Sequence, residues 1–343
     1  MVAAIGRELA LRAPYLNGAP VETIYFGGGT PSVLDTAEIE GLLDTVYALF
    51  PVVAQPEITL EANPDDLSRA KLDELGATRI NRLSIGIQSF SEADLRYMNR
   101  AHNAAEAARC VTWARAVGFD DLSIDLIYGS PTTSHAQWAD NLARTADLGV
   151  THVSSYCLTV EPDTALAHFV RKGTARPVDE AHAAAQFETL LDWAARADFA
   201  HYEISNFARP GHYARHNTNY WRGVPYLGVG PSAHSFDGHS RQWNVAHNAQ
   251  YLTALVTDTI PAERETLSAD DRYNEYVMTS LRTMWGSDRA RLAAFGERYL
   301  PYFERHIQPY LRTNHATLAD NHYRLTNTGK LLADRVASDL FVE

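Results

Sequence analysis

The feature that most constrains this chain is an alternation of short β-rich runs with amphipathic helical stretches from about residue 22 to residue 205. The runs are Glu22 to Phe26, Glu57 to Ala62, Arg82 to Gln88, Leu122 to Tyr128, His152 to Leu158 and His201 to Ser205. Between them lie stretches of helical period, Thr36 to Leu49, Asn103 to Val117, His135 to Leu148 and Asp179 to Ala197, each long enough to carry the chain back across a sheet. Such repetition predicts a parallel sheet, open or closed into a barrel, with its chemistry at the carboxyl ends of the strands. Several runs end in residues unsuited to a sheet interior: Gly27-Gly28-Gly29, Glu61-Ala62-Asn63-Pro64, Gln88-Ser89-Phe90 and Asp125. A helical pattern, Ala3 to Arg12, precedes the first run.

At 343 residues the chain has room for a second, smaller domain. Residues 209 to 247 break the βα pattern, being rich in Gly, His and aromatic residues, and read as a structured functional loop. After about residue 262 the sequence turns helical, at Asp270 to Met284 and Arg289 to Phe295. A hairpin around Asn321-His322 and a last helix, Thr328 to Leu340, follow. The expected division is therefore 1–208 for the βα core, 209–261 for a His/aromatic connecting region and 262–343 for a winged-helix-like domain. The net charge of -12 gives no basic field, and the last domain has no basic recognition helix, so nucleic acid is not an expected partner. No apolar run of 18 or more residues occurs, and the start lacks a signal-peptide pattern, which together predict a cytoplasmic location. Cys110 and Cys157 are the only cysteines, too few for a disulfide framework or for a three-thiolate iron-sulfur cluster.

A strand running into Gly27-Gly28-Gly29 lets a ligand lie against main-chain polar groups, although a tight turn is the commoner use of such glycines. It has neither dinucleotide-fold nor P-loop spacing. An acid such as Glu61 or Asp125 at the buried end of an apolar strand must be paired. Taken in order, "YFGGGTPSVL", "LEANPDDL", "INRLSIGIQSF", "DLSIDLIYGSP" and "YEISNFARPGH" resemble the strand-end motifs of the coproporphyrinogen-dehydrogenase-like group of radical-SAM proteins, over nearly the whole chain.

That resemblance implies a partial parallel (β/α)6 barrel that binds S-adenosylmethionine beside a [4Fe-4S] cluster. Carried over by motif, the cofactor's methionine moiety contacts Gly28, Gly29 and Thr30, and Glu61, Gln88, Arg100 and Asp125 complete the pocket. Arginine suits a carboxylate, and an aspartate can accept from ribose hydroxyls. The family's C-x3-C-x2-C loop has no counterpart, since Cys110 lies in a helical pattern and Cys157 alone holds no cluster. The expectation is an N-terminally incomplete member, through a late start site or a trimmed chain, whose barrel lacks its first strand. The cluster, and any radical chemistry, is expected only in the complete protein. The run Glu22 to Phe26 should then be a sheet edge.

Within the group, "RHNTNYW", with His216, Asn217, Tyr220 and Trp221, and the following "YLGVGPSAHS" resemble the HemW-type haem chaperones. The resemblance implies haem as ligand, His216 as candidate iron ligand with Asn217, Tyr220 and Trp221 around it, and transfer to an acceptor haemoprotein that is membrane-associated in one version, with peripheral attachment at the inner membrane face. Six of the 14 histidines fall between His201 and His247, among Tyr213, Tyr226, Phe236 and Trp243, and suit a porphyrin's flat walls, although a packed His/aromatic loop reads the same way. Oxidative decarboxylation of coproporphyrinogen III and a cluster-free scaffold remain the alternative functions, and a homodimer is left open.

Overall fold

The computed structural model describes residues 1–162 and 164–343. In chain order its elements are α1 (Val2–Leu11), β1 (Val21–Phe26), α2 (Thr36–Leu49), β2 (Val52–Ala62), α3 (Arg69–Leu75), β3 (Arg82–Gln88), α4 (Glu92–Tyr97), α5 (Ala104–Val117), β4 (Asp121–Tyr128), α6 (His135–Asp147) and β5 (His152–Cys157). Then come α7 (Ala165–Arg171), α8 (Glu180–Arg196), β6 (Ala200–Glu203), β7 (Asn206–Ala208), α9 (Arg215–Trp221), β8 (His234–Phe236), β9 (Ser240–Asn244), α10 (Asn248–Val256) and β10 (Ala262–Thr266). The remainder is α11 (Ala269–Leu281), β11 (Ser287–Asp288), α12 (Arg289–Ala294), α13 (Tyr299–Arg312), β12 (Ala316–Ala319), β13 (His322–Leu325), α14 (Asn327–Lys330) and α15 (Ala333–Ser338).

The α/β class and the strand positions agree with the sequence reading. A seven-stranded sheet runs in the order β1-β2-β3-β4-β5-β7-β6, with β1 at one edge. Strands β2 to β5 pair in parallel, and their register sets Glu61, Ser84, Ser123 and His152 side by side. One expectation is corrected. The run His201 to Ser205 is not a single strand, because the chain reverses after Glu203 and returns as β7, antiparallel to both β6 and β5. Three residues of β7 before Arg209-Pro210 are too short to register as a period.

Helix boundaries follow local chemistry. Asp35 with Glu38, Asn103 with Glu106 and Ser134 with Gln137 form reciprocal capping boxes at the starts of α2, α5 and α6. Gly118, at φ 110°, stops α5 in a conformation that disfavours any side chain.

The chain divides into two compact units, one of Met1–Ile24, Asp35–Pro56 and Arg215–Glu343, the other of Tyr25–Leu34 and Glu57–Ala214. In the second unit, Ile58, Leu60, Leu83, Ile85, Ile87, Leu122, Ile124, Leu126 and Val153 are buried on one face of the sheet. The alternate positions, Thr59, Glu61, Arg82, Ser84, Ser123, Asp125, His152 and Ser154, form the other face. Parallel sheets are ordinarily apolar on both sides, because helices cover both. A wholly polar inner face of this kind requires partners of its own.

In the first unit α1 is fastened by a buried ion pair. Glu8 Oε1 accepts from Arg12 Nε at 2.8 Å and from Asn244 Nδ2 at 2.7 Å, and Oε2 accepts from Gly230 N at 2.8 Å and Tyr251 OH at 2.6 Å. The stretch 209–247, expected as loop, contains α9 and the hairpin β8–β9, to which β10 adds a third strand. The expected last helix, Thr328 to Leu340, is broken at Leu331-Leu332 into α14 and α15. Helix α13 was not foreseen, because Pro309 within it reads as a stop. No helix among the described residues is long and apolar enough to cross a membrane.

Candidate functional site

The strand ends of the second unit hold one cluster. After Phe26 the chain turns through Gly28 at φ 74° and Gly29 at φ 64°, left-handed values that glycine adopts without strain. At Gly27 the reason for glycine is space, since a Cβ there would lie 2.6 Å from the Tyr25 ring and 3.2 Å from the Glu61 carboxyl carbon. Glu61 is thereby fixed against the loop, accepting from Tyr25 OH at 2.6 Å and from Gly28 N at 3.2 Å. Burial, reinforced by the Glu61 carboxylate, holds the Tyr25 phenol far above its usual range, so it remains a donor. Thr30 follows in the same loop and precedes a single helical turn, Pro31–Val33.

Arg100, in the turn between α4 and α5, donates Nη2 to Asn63 Oδ1 at 2.7 Å and to Gly86 O at 3.3 Å. Gly86 provides the room: a Cβ there would lie 2.9 Å from Gln88 Nε2 and 3.3 Å from Arg100 Nη2. Gln88 itself has φ 67°, at an irregularity in the β3–β4 register. This left-handed non-glycine residue re-aims its side chain at the end of the strand. Asp125 lies on the polar face, with Ser84 Oγ 3.4 Å from its Oδ1. Burial pushes its carboxyl up to about 6; hydrogen bonding from Ser154 opposes this and the Glu61 charge adds to it.

Of the seven residues assigned by motif to S-adenosylmethionine, Gly28 and Glu61 share one hydrogen-bonded knot with Tyr25, and Arg100 forms another with Asn63 and Gly86. Gly29, Thr30 and Gln88 lie beside these at the ends of neighbouring strands, and Asp125 lies within β4. Sequence reasoning marked Gly27 only as part of the triple glycine and did not single out Tyr25, Ser84 or Gly86, which help to position them. It also missed Asp94, a buried carboxylate that accepts from Ser89 Oγ at 2.9 Å, Ser130 Oγ at 3.0 Å, Thr132 Oγ1 at 2.5 Å and Thr133 Oγ1. The serines of the "IQSF" and "YGSP" motifs therefore tie two loops to one acid. A short polar residue inside a helical pattern carried no signal for that role.

The first unit holds the second cluster. His216 Nδ1 lies 2.9 Å from Thr23 Oγ1, and His216 Nε2 lies 2.9 Å from Tyr220 OH. An i,i+4 spacing on α9 makes the second contact, and Asn217 and Trp221 share the adjacent stripe of the helix. Tyr220 meets Tyr226 edge to face at 4.6 Å between centroids, and Tyr226 lies 6.3 Å from Phe236. His234 lies 6.3 Å from the ring of Trp243. Burial raises the Tyr220 phenol to about 12, with Tyr226 adding to it, so Tyr220 stays protonated beside His216. The histidine-aromatic association expected from composition is present, with both ring nitrogens of His216 already engaged.

Cys110 is buried in α5, its Sγ directed to Ala107 O, and Cys157 is exposed at the end of β5. No group of three or more His, Cys, Asp or Glu side chains suited to a metal ion occurs among the described residues. Two thiols so placed do not fit a three-thiolate cluster. The strand-end pocket does fit a polar cofactor. Glu61 and Asp125 are anchored acceptors there, and the Cβ positions of Gly28 and Gly29 face open space.

Residues 7–144 match the family model of the radical SAM superfamily and residues 267–332 that of the HemN C-terminal domain. A solved structure of the coproporphyrinogen III oxidase HemN from Escherichia coli covers 99% of this chain and 82% of its own at a TM-score of 0.83, with 24% identity, a likeness of fold. Among curated proteins, the heme chaperone HemW of Mycobacterium tuberculosis is 38% identical over 342 residues, which is 98% of this chain and 85% of that protein. The heme chaperone HemW of Escherichia coli is 31% identical over 322 residues, 92% of this chain and 83% of that protein. With relatives of 31–38% identity that cover over nine-tenths of it, the chain belongs to the HemW family of the radical-SAM superfamily.

Proposed function

We propose that this protein is a haem chaperone, binding haem in its first unit and passing it to an acceptor haemoprotein, with a site for S-adenosylmethionine at the strand ends of its second unit. The observation that carries the reading is the His216 cluster, an imidazole on a short helix among Tyr220, Tyr226 and Phe236, in a chain of the HemW family. A porphyrin requires flat apolar walls and a nitrogen ligand for its iron. His216 Nε2 is the nitrogen offered on the Tyr220 side, and Thr23 on Nδ1 fixes the ring, as a partner on the second nitrogen does for metal-bound histidines. Ligation displaces the Tyr220 hydroxyl, a local motion of a partly exposed side chain.

In the second unit Gly28, Gly29 and Thr30 would line the methionine end of S-adenosylmethionine. Arg100 would pair with its carboxylate, Glu61 and Gln88 would hold polar groups, and Asp125 would accept from ribose hydroxyls. The cofactor supplies a sulfonium-linked adenosyl group. The chain's own contribution is to fix the acceptors Glu61 and Asp125 in place before the ligand arrives. No step is assigned to a cluster, since the two cysteines do not supply one. Haem titration followed at the Soret band tests the reading: the parent should bind one haem specifically, His216→Ala should weaken binding and alter the spectrum, and His234→Ala should do neither. Unchanged affinity and spectrum in His216→Ala would reject His216 as ligand, and a folded parent that binds no haem would reject the chaperone reading.

A further inference from the structure

The polar face of the sheet contains a continuous line of hydrogen-bonding side chains that ends on Asp125. His152 is wholly buried, with Nδ1 2.7 Å from Ser123 Oγ and Nε2 2.7 Å from Tyr202 OH. Ser123 Oγ lies 3.5 Å from Ser154 Oγ, and Ser154 hydrogen-bonds the Asp125 carboxylate. At the far end the amide of Ala214 donates to the Tyr202 phenol oxygen. All these groups belong to the second unit.

We infer that His152 is a positioning residue for the strand-end site, transmitting a one-way chain of hydrogen bonds from Tyr202 through Ser123 and Ser154 to Asp125, and that this chain sets the ionisation and orientation of the Asp125 carboxyl. The direction follows from counting hydrogens. Counted back from Asp125, which only accepts when ionised, the single hydrogen of Ser154 goes to the carboxylate and that of Ser123 to Ser154. Ser123 therefore accepts from His152 Nδ1, and the bare Nε2 of the neutral imidazole accepts from the Tyr202 phenol, whose oxygen also takes the Ala214 amide. Burial keeps His152 neutral, with Arg82 adding to the effect, and keeps Tyr202 protonated, so neither end can reverse the chain near neutral pH.

The groups that face Asp125 are Ser84 and Arg82 of β3, Glu61 of β2, Tyr25 of β1 and Ser154 and Tyr156 of β5. Glu61 disfavours the ionised form and Arg82 favours it. The donor from Ser154 is the one contribution that depends on a distant tautomer. Such a chain of polarised donors is stronger than its separate members. This inference rests on the proposed S-adenosylmethionine site only for the use made of Asp125, not for the chain itself.

The test is the Asp125 carboxyl pKa in the ligand-free 343-residue chain, read by carbon NMR with aspartate labelled at Cγ and assigned with Asp125→Asn. Tyr202→Phe and Ser123→Ala each cut the chain without adding bulk, and should raise that pKa by roughly half a unit or more, since a hydrogen bond to a charged group is lost or weakened. Ser155→Ala, on the opposite pleat, should leave it unchanged, and His152→Asn, which keeps a donor near the Nδ1 position, should restore part of the shift produced by His152→Ala. An Asp125 pKa that does not move in folded Tyr202→Phe and Ser123→Ala overturns the inference. Binding of S-adenosylmethionine by the same variants, measured by calorimetry against pH, separates the two claims. A shifted carboxyl pKa with unaltered binding upholds the chain and removes Asp125 from the cofactor site.

Discussion

Replacing Glu8 by glutamine tests the anchoring of α1 with minimal change of shape. The carboxylate accepts four hydrogen bonds, two on each oxygen, and its partner Arg12 is 4% exposed while Glu8 is fully buried. An amide offers one acceptor oxygen, so its NH2 must face either Arg12 and Asn244 or Gly230 and Tyr251, and of these only the Tyr251 hydroxyl can turn to accept. Each donor left without an acceptor costs about 1–3 kcal/mol, and a buried guanidinium without its counter-charge brings the total to about 3–5 kcal/mol. Tyr251→Phe removes a single donor from the set and should cost only about 1–2 kcal/mol. Urea unfolding followed by tryptophan fluorescence reads both as a fall in midpoint at constant slope. If Glu8→Gln stays within about 1 kcal/mol of the parent, the four-donor arrangement is refuted.

Asp125, with a folded pKa of about 6 against an ordinary 3.8, binds a proton more tightly when folded. Its contribution to stability is therefore present below pH 4 and lost as pH rises through 6; Asp125→Asn should flatten this decline and stabilise the chain at pH 7 by on the order of 1–2 kcal/mol, measured by denaturation across pH. Gly27→Ala should weaken S-adenosylmethionine binding more than Gly28→Ala does. The first drives a methyl group into Tyr25 and Glu61, whereas the second adds only left-handed strain of about 1 kcal/mol in open space, a contrast calorimetry resolves. Tyr220→Phe should tighten haem binding roughly fivefold, since ligation no longer displaces a hydrogen bond worth about 1 kcal/mol. Weaker binding in that variant would place Tyr220 among the groups that hold the porphyrin.

Periodicity located β3, α2 and the helices between strands because burial on one face writes a pattern of period 2 or 3.6 over many residues. It lost β7, β8 and α9, which are three to seven residues long and owe their form to neighbours far along the chain. The motifs gave Gly28, Glu61, Gln88 and Asp125 but not what fixes them. Tyr25 reads as one more apolar strand residue, and its hydroxyl acquires a purpose only when Glu61 is brought within 2.6 Å. Gly230 is likewise legible as a motif residue but not in its role. It belongs to a stretch read only as a family motif, and its structural part, an amide that donates to Glu8 from a φ of 105°, appears only when α1 is brought beside it.

The most direct test of a chaperone, as distinct from a haem-binding protein, is the rate at which haem leaves the loaded chain for the apo-form of a b-type haemoprotein. Stopped-flow absorbance at the Soret band follows the transfer as acceptor concentration is raised. If the protein hands haem over in a complex, the rate increases with acceptor concentration and exceeds the rate of loss to an unrelated haem scavenger. A rate that is the same for acceptor and scavenger and independent of either concentration means that haem simply dissociates, and contradicts the account.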